Sequence, residues 1–437
     1  MSNARSVFVL LMAAVIASGQ DKKLKEGEYD PYNEVVKDVN TNNFTKALTD
    51  LDTWSQKFSD SDYKDDRTAF YVQAYTATNQ AAKALDAAAG LMSRDLNSEF
   101  PGPAGPATIV RFLYNVVYAI SHDPDATPVA LAVGEKAARQ LMAFDQAIPG
   151  VSAADWEKAR ASMKEQANAA LLYVTMLPGV QAMAKQPPNC AAAETAYVGA
   201  LNVYPDKTVL SYELGRALNC ESKAQPEKLS AAIYEFERAA MVDPALGDPK
   251  GDPKKVVTFA DNAYIRIHGS DEGLDRLKQT VRQSPLPPDG FKIKTATEIA
   301  EEKRAEFEKS NPQLALWMKI KGALADTDGE QYFTDQLKDS KVPQLRGVLI
   351  AVDKACHPKE LTVAVPLPDI QQSLRPEIRL VLEKPLTGKP ELNQEFHWEG
   401  VPTAFTKDPF LLTMDADPAK LEGLKTAACP VVTSRKK

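Results

Sequence analysis

The chain has 437 residues, with 52 Lys and Arg against 59 Asp and Glu, and a formal net charge of −7 at pH 7. That balance, with no basic run anywhere, excludes nucleic acid as the main partner, because phosphate binding needs a concentrated cationic surface. A chain this long can bury more than one core.

In chain order, the first segment is Met1 to Gly19, where Arg5 precedes an apolar run from Val7 to Ala17 and a small-residue end, Ala17-Ser18-Gly19. The run is too short to span a bilayer, so it predicts a cleaved secretory signal, and a periplasmic or secreted protein. No cysteine follows it to carry a lipid anchor. After cleavage no transmembrane segment is expected: the most apolar stretch elsewhere, Ala167 to Leu177, is short, ends at Pro178 and reads as a buried helix. The polar stretch Asp21 to Glu28 is expected to be a mobile leader.

Helical periodicity begins near Pro31 and continues through Phe44, Leu51 and Trp54. A second pair of helices is expected over 65–78 and 79–96, closed by the breaker Pro101-Gly102-Pro103-Ala104-Gly105-Pro106. A third pair covers 107–121 and 127–145; its first helix, around Ile109 to Tyr118, is apolar on nearly all sides and should be deeply buried. The next helix, 152–184, is overlong and expected to be interrupted at Pro178-Gly179, before a partner helix carrying Ala193, Tyr197 and Ala200.

From Thr208 to Pro285 two helical hairpins follow in regular rhythm. Ala232, Phe236 and Ala239 alternate small and aromatic residues before the terminating Pro244, and counting back from Pro285 puts Leu277, Gly273, Tyr264 and Ala260 in a matching frame. The pattern resembles the tetratricopeptide (TPR) repeat, in which small residues let neighbouring helices approach closely. The resemblance, spread over roughly 31–285, implies a mainly α chain: a TPR-like α-solenoid of about six helical hairpins over residues 20–286.

That resemblance also implies a groove. The first-helix positions that face the concave surface in this family fall on Tyr212, Arg216 and Asn219 in one hairpin and on Thr258, Asn262 and Arg266 in the next. An arginine and an asparagine from each can hold a peptide backbone or an acidic group. Tyr212 and Thr258 stand where a carboxylate-clamp repeat carries a basic residue. The alternative is ordinary solvated polar residues on a helix face.

The four cysteines allow three disulfide connectivities. In the repeat register Cys190 begins one second helix and Cys220 ends the next first helix, so these antiparallel ends should be neighbours; Cys356 and Cys429, both in the C-terminal segment, are left to each other. The alternative is four buried thiols.

Residues 287–344 open on Pro287-Pro288-Asp289-Gly290 and are expected to be a linker with two helices, about 295–309 and 312–325, the second striped by Leu314, Trp317, Ile320 and Leu324. They are expected to close the open end of the array. Beyond Gln344 the period becomes two: Val348, Ile350 and Val352; Leu361, Val363 and Val365; Ile378, Leu380 and Leu382; Phe410, Leu412 and Met414. With Glu395 to Phe405, this predicts at least five strands, a small all-β domain over 345–437. Barrel and sandwich both fit, and the strand count is similar to an OB-like barrel.

No phosphate loop, nucleophile elbow, His-Glu-x-x-His helix or Cys-x-x-Cys pair is present. His122, His268, His357 and His397 lie far apart in sequence. Cys356-His357 reads as a disulfide cysteine beside an exposed histidine rather than a metal site, and Asp326, Asp328 and Glu330 as a solvated turn rather than a calcium loop. His397-Trp398-Glu399 is either a binding face or a strand with a core tryptophan. The expectation is therefore a scaffold that binds a protein or peptide, without catalysis, metal or cofactor; the rival is a ligand site or enzyme in the β domain, with Trp398, His397 and Cys356 converging on one pocket.

Overall fold

A computed structural model describes residues 22–248, 250–366 and 374–430, in two units that part between Ile293 and Lys294. The expected signal segment lies outside the described residues.

The first unit is helical: α1 (Tyr29–Asn40), α2 (Phe44–Lys57), α3 (Lys64–Ala77), α4 (Ala81–Met92), the single turn α5 (Leu96–Glu99), α6 (Gly105–Ile120), α7 (Pro128–Ala143), α8 (Ala153–Ala184), α9 (Cys190–Val203), α10 (Thr208–Glu221), α11 (Lys228–Val242), α12 (Pro253–His268) and the short α13 (Leu274–Thr280). Local chemistry sets several ends. Thr127, Ser152 and Asp252 accept hydrogen bonds from the first-turn amides of α7, α8 and α12, two of which also carry proline in their first turn. Gly269 ends α12 at φ +88°, a left-handed conformation that favours glycine.

Each helix packs mainly on its neighbours in the chain, from α1 on α2 through α11 on α12. The buried clusters follow the same order: one around Val35, Leu51 and Trp54, one from Val72 to Leu177, one from Ala182 to Ala260, and one joining Ile233, Tyr264 and Leu277. Small residues make close packing possible. A Cβ on Gly215 would lie 2.7 Å from the Phe236 ring, and one on Gly179 would lie 2.6 Å from that of Tyr197.

Two expectations need correcting here. Residues 22–28 are not a loose leader: Lys22 pairs with Asp66 at 2.7 Å, and Glu28, fully buried, accepts the Trp54 indole N–H at 2.7 Å, so burial of an aromatic with a polar tip holds the segment down. Helix α8 is not interrupted at Pro178 but runs through to Ala184. Its stripe from Trp156 to Leu177 is packed into the core, and lateral packing holds the helix together across the proline. By length and composition α8 is also the one described helix apolar enough to cross a membrane.

The second unit contains α14 (Ala296–Ser310), α15 (Pro312–Ala325), the turn α16 (Gly329–Tyr332) with a π-helical extension to Leu337, and strands β1 (Val342–Val352), β2 (Glu360–Ala364), β3 (Ile378–Leu382), β4 (Lys389–Pro390), β5 (Glu395–Lys407), β6 (Phe410–Ala416) and β7 (Thr426–Ala427). Five strands close into a barrel in the order β1-β2-β3-β6-β5, and β4 pairs with β7. All barrel pairs are antiparallel except β3 with β6, where Leu380 stands opposite Met414. The barrel, not the sandwich, is the arrangement found.

The period of two holds, but in β1 the inward face is Leu345, Gly347 and Leu349, while Val348 and Ile350 are half-buried on the other face. A bulge between Leu349 and Ala351 shifts the register there. The stripe Leu314, Trp317, Ile320 and Leu324 on α15 packs into the same core as Leu349, Leu380 and Trp398. The residues expected to close the helical array thus supply a wall of the barrel core.

The cysteines form two bonds, Cys190 with Cys220 and Cys356 with Cys429, with Cα separations of 6.0 and 5.9 Å. Two disulfides fit an oxidising, extracytoplasmic location.

Candidate functional site

Helices α10 and α12 meet through an aromatic contact. The Tyr212 ring lies 5.8 Å from Phe236 of α11 and 6.4 Å from Phe259 of α12, and Phe236 and Phe259 sit edge to face at 4.9 Å. Tyr212 and Phe236 are inside the packing, but Phe259 remains 46% exposed. Arg216 and Asn219 are exposed one and two turns along α10 from Tyr212. Thr258, Asn262 and Arg266 are exposed in sequence on α12, spaced one turn apart beside Phe259.

The two arginines are not equivalent. Arg216 is held back on its own helix by Glu213, at 2.9 Å, so its guanidinium is not turned freely toward a shared cavity as the groove reading expects. An acceptor three residues away on the same helix outcompetes a distant one. Arg266 has no ion pair among the described residues, which leaves its donors available.

Behind this face lies a set of residues that the sequence reading did not single out. Every position of α11 from Ala232 to Ala240 is buried, and that span includes Glu235, Glu237 and Arg238. Arg238 donates to the Ser211 hydroxyl at 2.8 Å and to the Pro205 and Ser284 carbonyls, so it ties two chain reversals to the helix between them. The Glu235 and Glu237 carboxylate oxygens have no hydrogen-bond partner among the described residues. Burial pushes both up to about 8; for Glu237, the nearby negative charge of Asp261 adds to the effect, and Lys278 opposes it. Apolar residues all round the helix, Ile233, Tyr234 and Phe236 in near succession, were the available signal that its charged positions would be enclosed.

The remaining candidates do not assemble into one site. Trp398 is fully buried in the barrel core and the His397 backbone bridges to Glu422, while Cys356 is in its disulfide and His357 adopts φ +55° with its ring nitrogen 3.3 Å from the Leu386 carbonyl. Asp326, Asp328 and Glu330 are exposed in the turn from α15 to α16. His122, in the turn after α6, stacks on Tyr118, and the His268 ring lies tilted 5.1 Å from that of Tyr264 on the same helix. One acidic group, Glu34, Asp38 and Asp50, has the spacing of a cation site, but the Lys46 ammonium sits among all three, at 3.4, 2.8 and 2.8 Å. A built-in ammonium already neutralises that cluster.

No family model, curated protein or solved structure matches the chain.

Proposed function

We propose that this is an exported, non-enzymatic binding protein: a TPR-like helical scaffold that holds a protein or peptide in the periplasm or outside the cell, against the face formed by α10 and α12. The observation that carries the reading is Phe259, a half-exposed aromatic held by two others, with Thr258, Asn262 and Arg266 exposed along the same helix. A rigid aromatic beside an uncommitted arginine is the composition of an interface hot spot. The polar neighbours offer both donors and acceptors to a peptide backbone.

The order of buried clusters along the chain supports the repeat-array reading, since in such arrays each unit contacts mainly its neighbours. The parallel β3–β6 pair and the strand order support an OB-like reading of the barrel. The acidic balance of the chain argues against oligonucleotides as its ligand.

The test is selection of peptides from a random library on the intact, oxidised chain, followed by titration of the winners against F259A and R266A. The expected outcome is roughly tenfold or greater weakening by each variant, the loss that removal of a hot-spot side chain produces. Winners that bind both variants as tightly as the parent end the proposal.

A further inference from the structure

A cleft of about 490 Å³ opens in the barrel unit between α15 and the chain leaving β2 and entering β3. Its walls are mostly apolar: Leu314, Trp317 and Met318 on the helix, Val365, Pro366 and Leu374 opposite. Met318 and Leu374 are 45% and 42% exposed, two of the three large apolar side chains exposed among the described residues of this unit. Apolar side chains gathered at a concavity of this size are the usual make-up of a small-molecule site.

The polar groups define what such a molecule must carry. Glu377 accepts the Trp317 indole N–H at 2.9 Å on one oxygen and the Lys321 ammonium on the other. Its charge is thereby matched within the wall, and Lys321 is further held 5.6 Å over the Phe410 ring. Arg375, exposed on the facing side, has no ion pair among the described residues. Among the described lining residues two cations stand against one carboxylate, which leaves one unmatched positive charge, on the side chain whose planar fork suits a carboxylate.

A second cleft of about 220 Å³ shares Leu314, Val365 and Pro366 with the first, but the rest of its lining, which includes Asn311, Gln313, Arg346 and Glu395, is mostly polar, so the apolar surface belongs to the first cleft. We infer that the first cleft binds a small amphipathic acid, with its apolar body against Met318 and Leu374 and a single carboxylate on Arg375. The inference is independent of the α10–α12 face.

Gly322 provides a way to fill the cleft without disturbing the fold. It lines the cavity from within α15, and a Cβ added there meets nothing within 4 Å, so leucine enters open space on a helix that it also favours. The experiment is calorimetric titration of the intact chain with decanoate and with decanol. Decanoate should saturate at one site, and decanol should bind about tenfold more weakly, the value of one charge-assisted hydrogen-bonded pair. R375Q should bring decanoate down to the level of decanol and leave decanol unchanged, and G322L should weaken both, with melting temperature checked for each. Failure of decanoate to saturate, equal binding of acid and alcohol by the parent, or retention of parental decanoate affinity by either variant overturns the inference.

Discussion

The two units bury different things. Among the described residues every buried polar or charged side chain, from Glu28 to Arg238, lies in the helical unit, and the barrel core from Leu345 to Met414 is apolar throughout. The contrast follows from geometry. A strand sends alternate side chains into a closed interior where they meet the apolar side chains of other strands and of α15, with the backbone groups already paired in the ladder, so a polar group there finds no partner. A helix enclosed by other helices has buried positions on every side, some next to the ends of loops. Arg238 uses such places, satisfying carbonyls at Pro205 and Ser284. Glu235 and Glu237 share the enclosed helix and have nothing equivalent.

The strongest way to break this comparison is pH. The Glu235 and Glu237 carboxyls are raised from 4.5 to about 8 in the folded chain, so between those values the folded state keeps protons that the unfolded chain releases. The stability these two groups contribute is therefore fullest below about pH 4.5, falls as pH rises and is lost above about 8, with a slope of up to roughly 1.4 kcal/mol per pH unit for each group. Asp65, whose folded value is lowered from 3.8, acts in the opposite sense and only in acid. Hydrogen exchange followed by mass spectrometry should show α11 losing protection from pH 5 to 8 while β3 and β6 change only by intrinsic chemistry. E235Q and E237Q should flatten the profile; α11 protection independent of pH in the parent would remove the basis of the comparison.

Disulfide loss comes next and acts on each unit separately. The bonds close separations of 73 and 30 residues, for which chain entropy gives about 4.4 and about 3.6 kcal/mol. C356S/C429S should lower protection in the barrel strands and C190S/C220S that in α9 to α11, each measurable by urea unfolding with exchange readout. A bond whose removal leaves its own unit unchanged would show that the unfolded chain is already restricted there.

Arg238→Met should destabilise the helical unit by roughly 3 kcal/mol, because the buried Ser211 hydroxyl and two part-buried carbonyls lose a charged donor at once. It should also raise the Glu235 value further and extend its pH dependence to higher pH, since the neighbouring positive charge is removed. The smallest effect belongs to the proposed binding face: F259A with R266A should change the urea midpoint by less than about 0.5 kcal/mol equivalent. A large loss there would make Phe259 a core residue rather than an anchor.

How far the sequence carried can be judged from particular residues. Ala232, Phe236 and Ala239 were legible as the packed face of a helix because small and aromatic residues at repeat spacing have few other uses, and a Cβ on Gly215 would indeed lie within 2.7 Å of the Phe236 ring. The exposure of the groove residues Tyr212, Arg216, Asn219, Thr258, Asn262 and Arg266 was less legible. Periodicity places a residue on a helix face but not against a neighbour, so neither the engagement of Arg216 by Glu213 nor the prominence of Phe259 was visible. Glu377, which organises the cleft in the barrel unit, stands just before β3, where no local pattern marks it, and its partners Trp317 and Lys321 are far from it in the chain.

By itself the sequence determined the change from helical period to period two near Gln344, the places where glycine and alanine permit close helices, and the acidic balance that turns phosphates away. These follow from properties each residue carries locally: side-chain size, turn chemistry and charge. Only the tertiary structure decided that the stripe on α15 covers the barrel core, that α8 runs on past Pro178, and that Glu235 and Glu237 lie enclosed beside an arginine committed elsewhere. The physical reason is the same in each case. A helix's apolar stripe fits any complementary surface, a proline's missing donor is tolerated where neighbours supply packing, and a carboxylate's proton depends on how much water its surroundings exclude, all of which are set by chain segments distant in sequence.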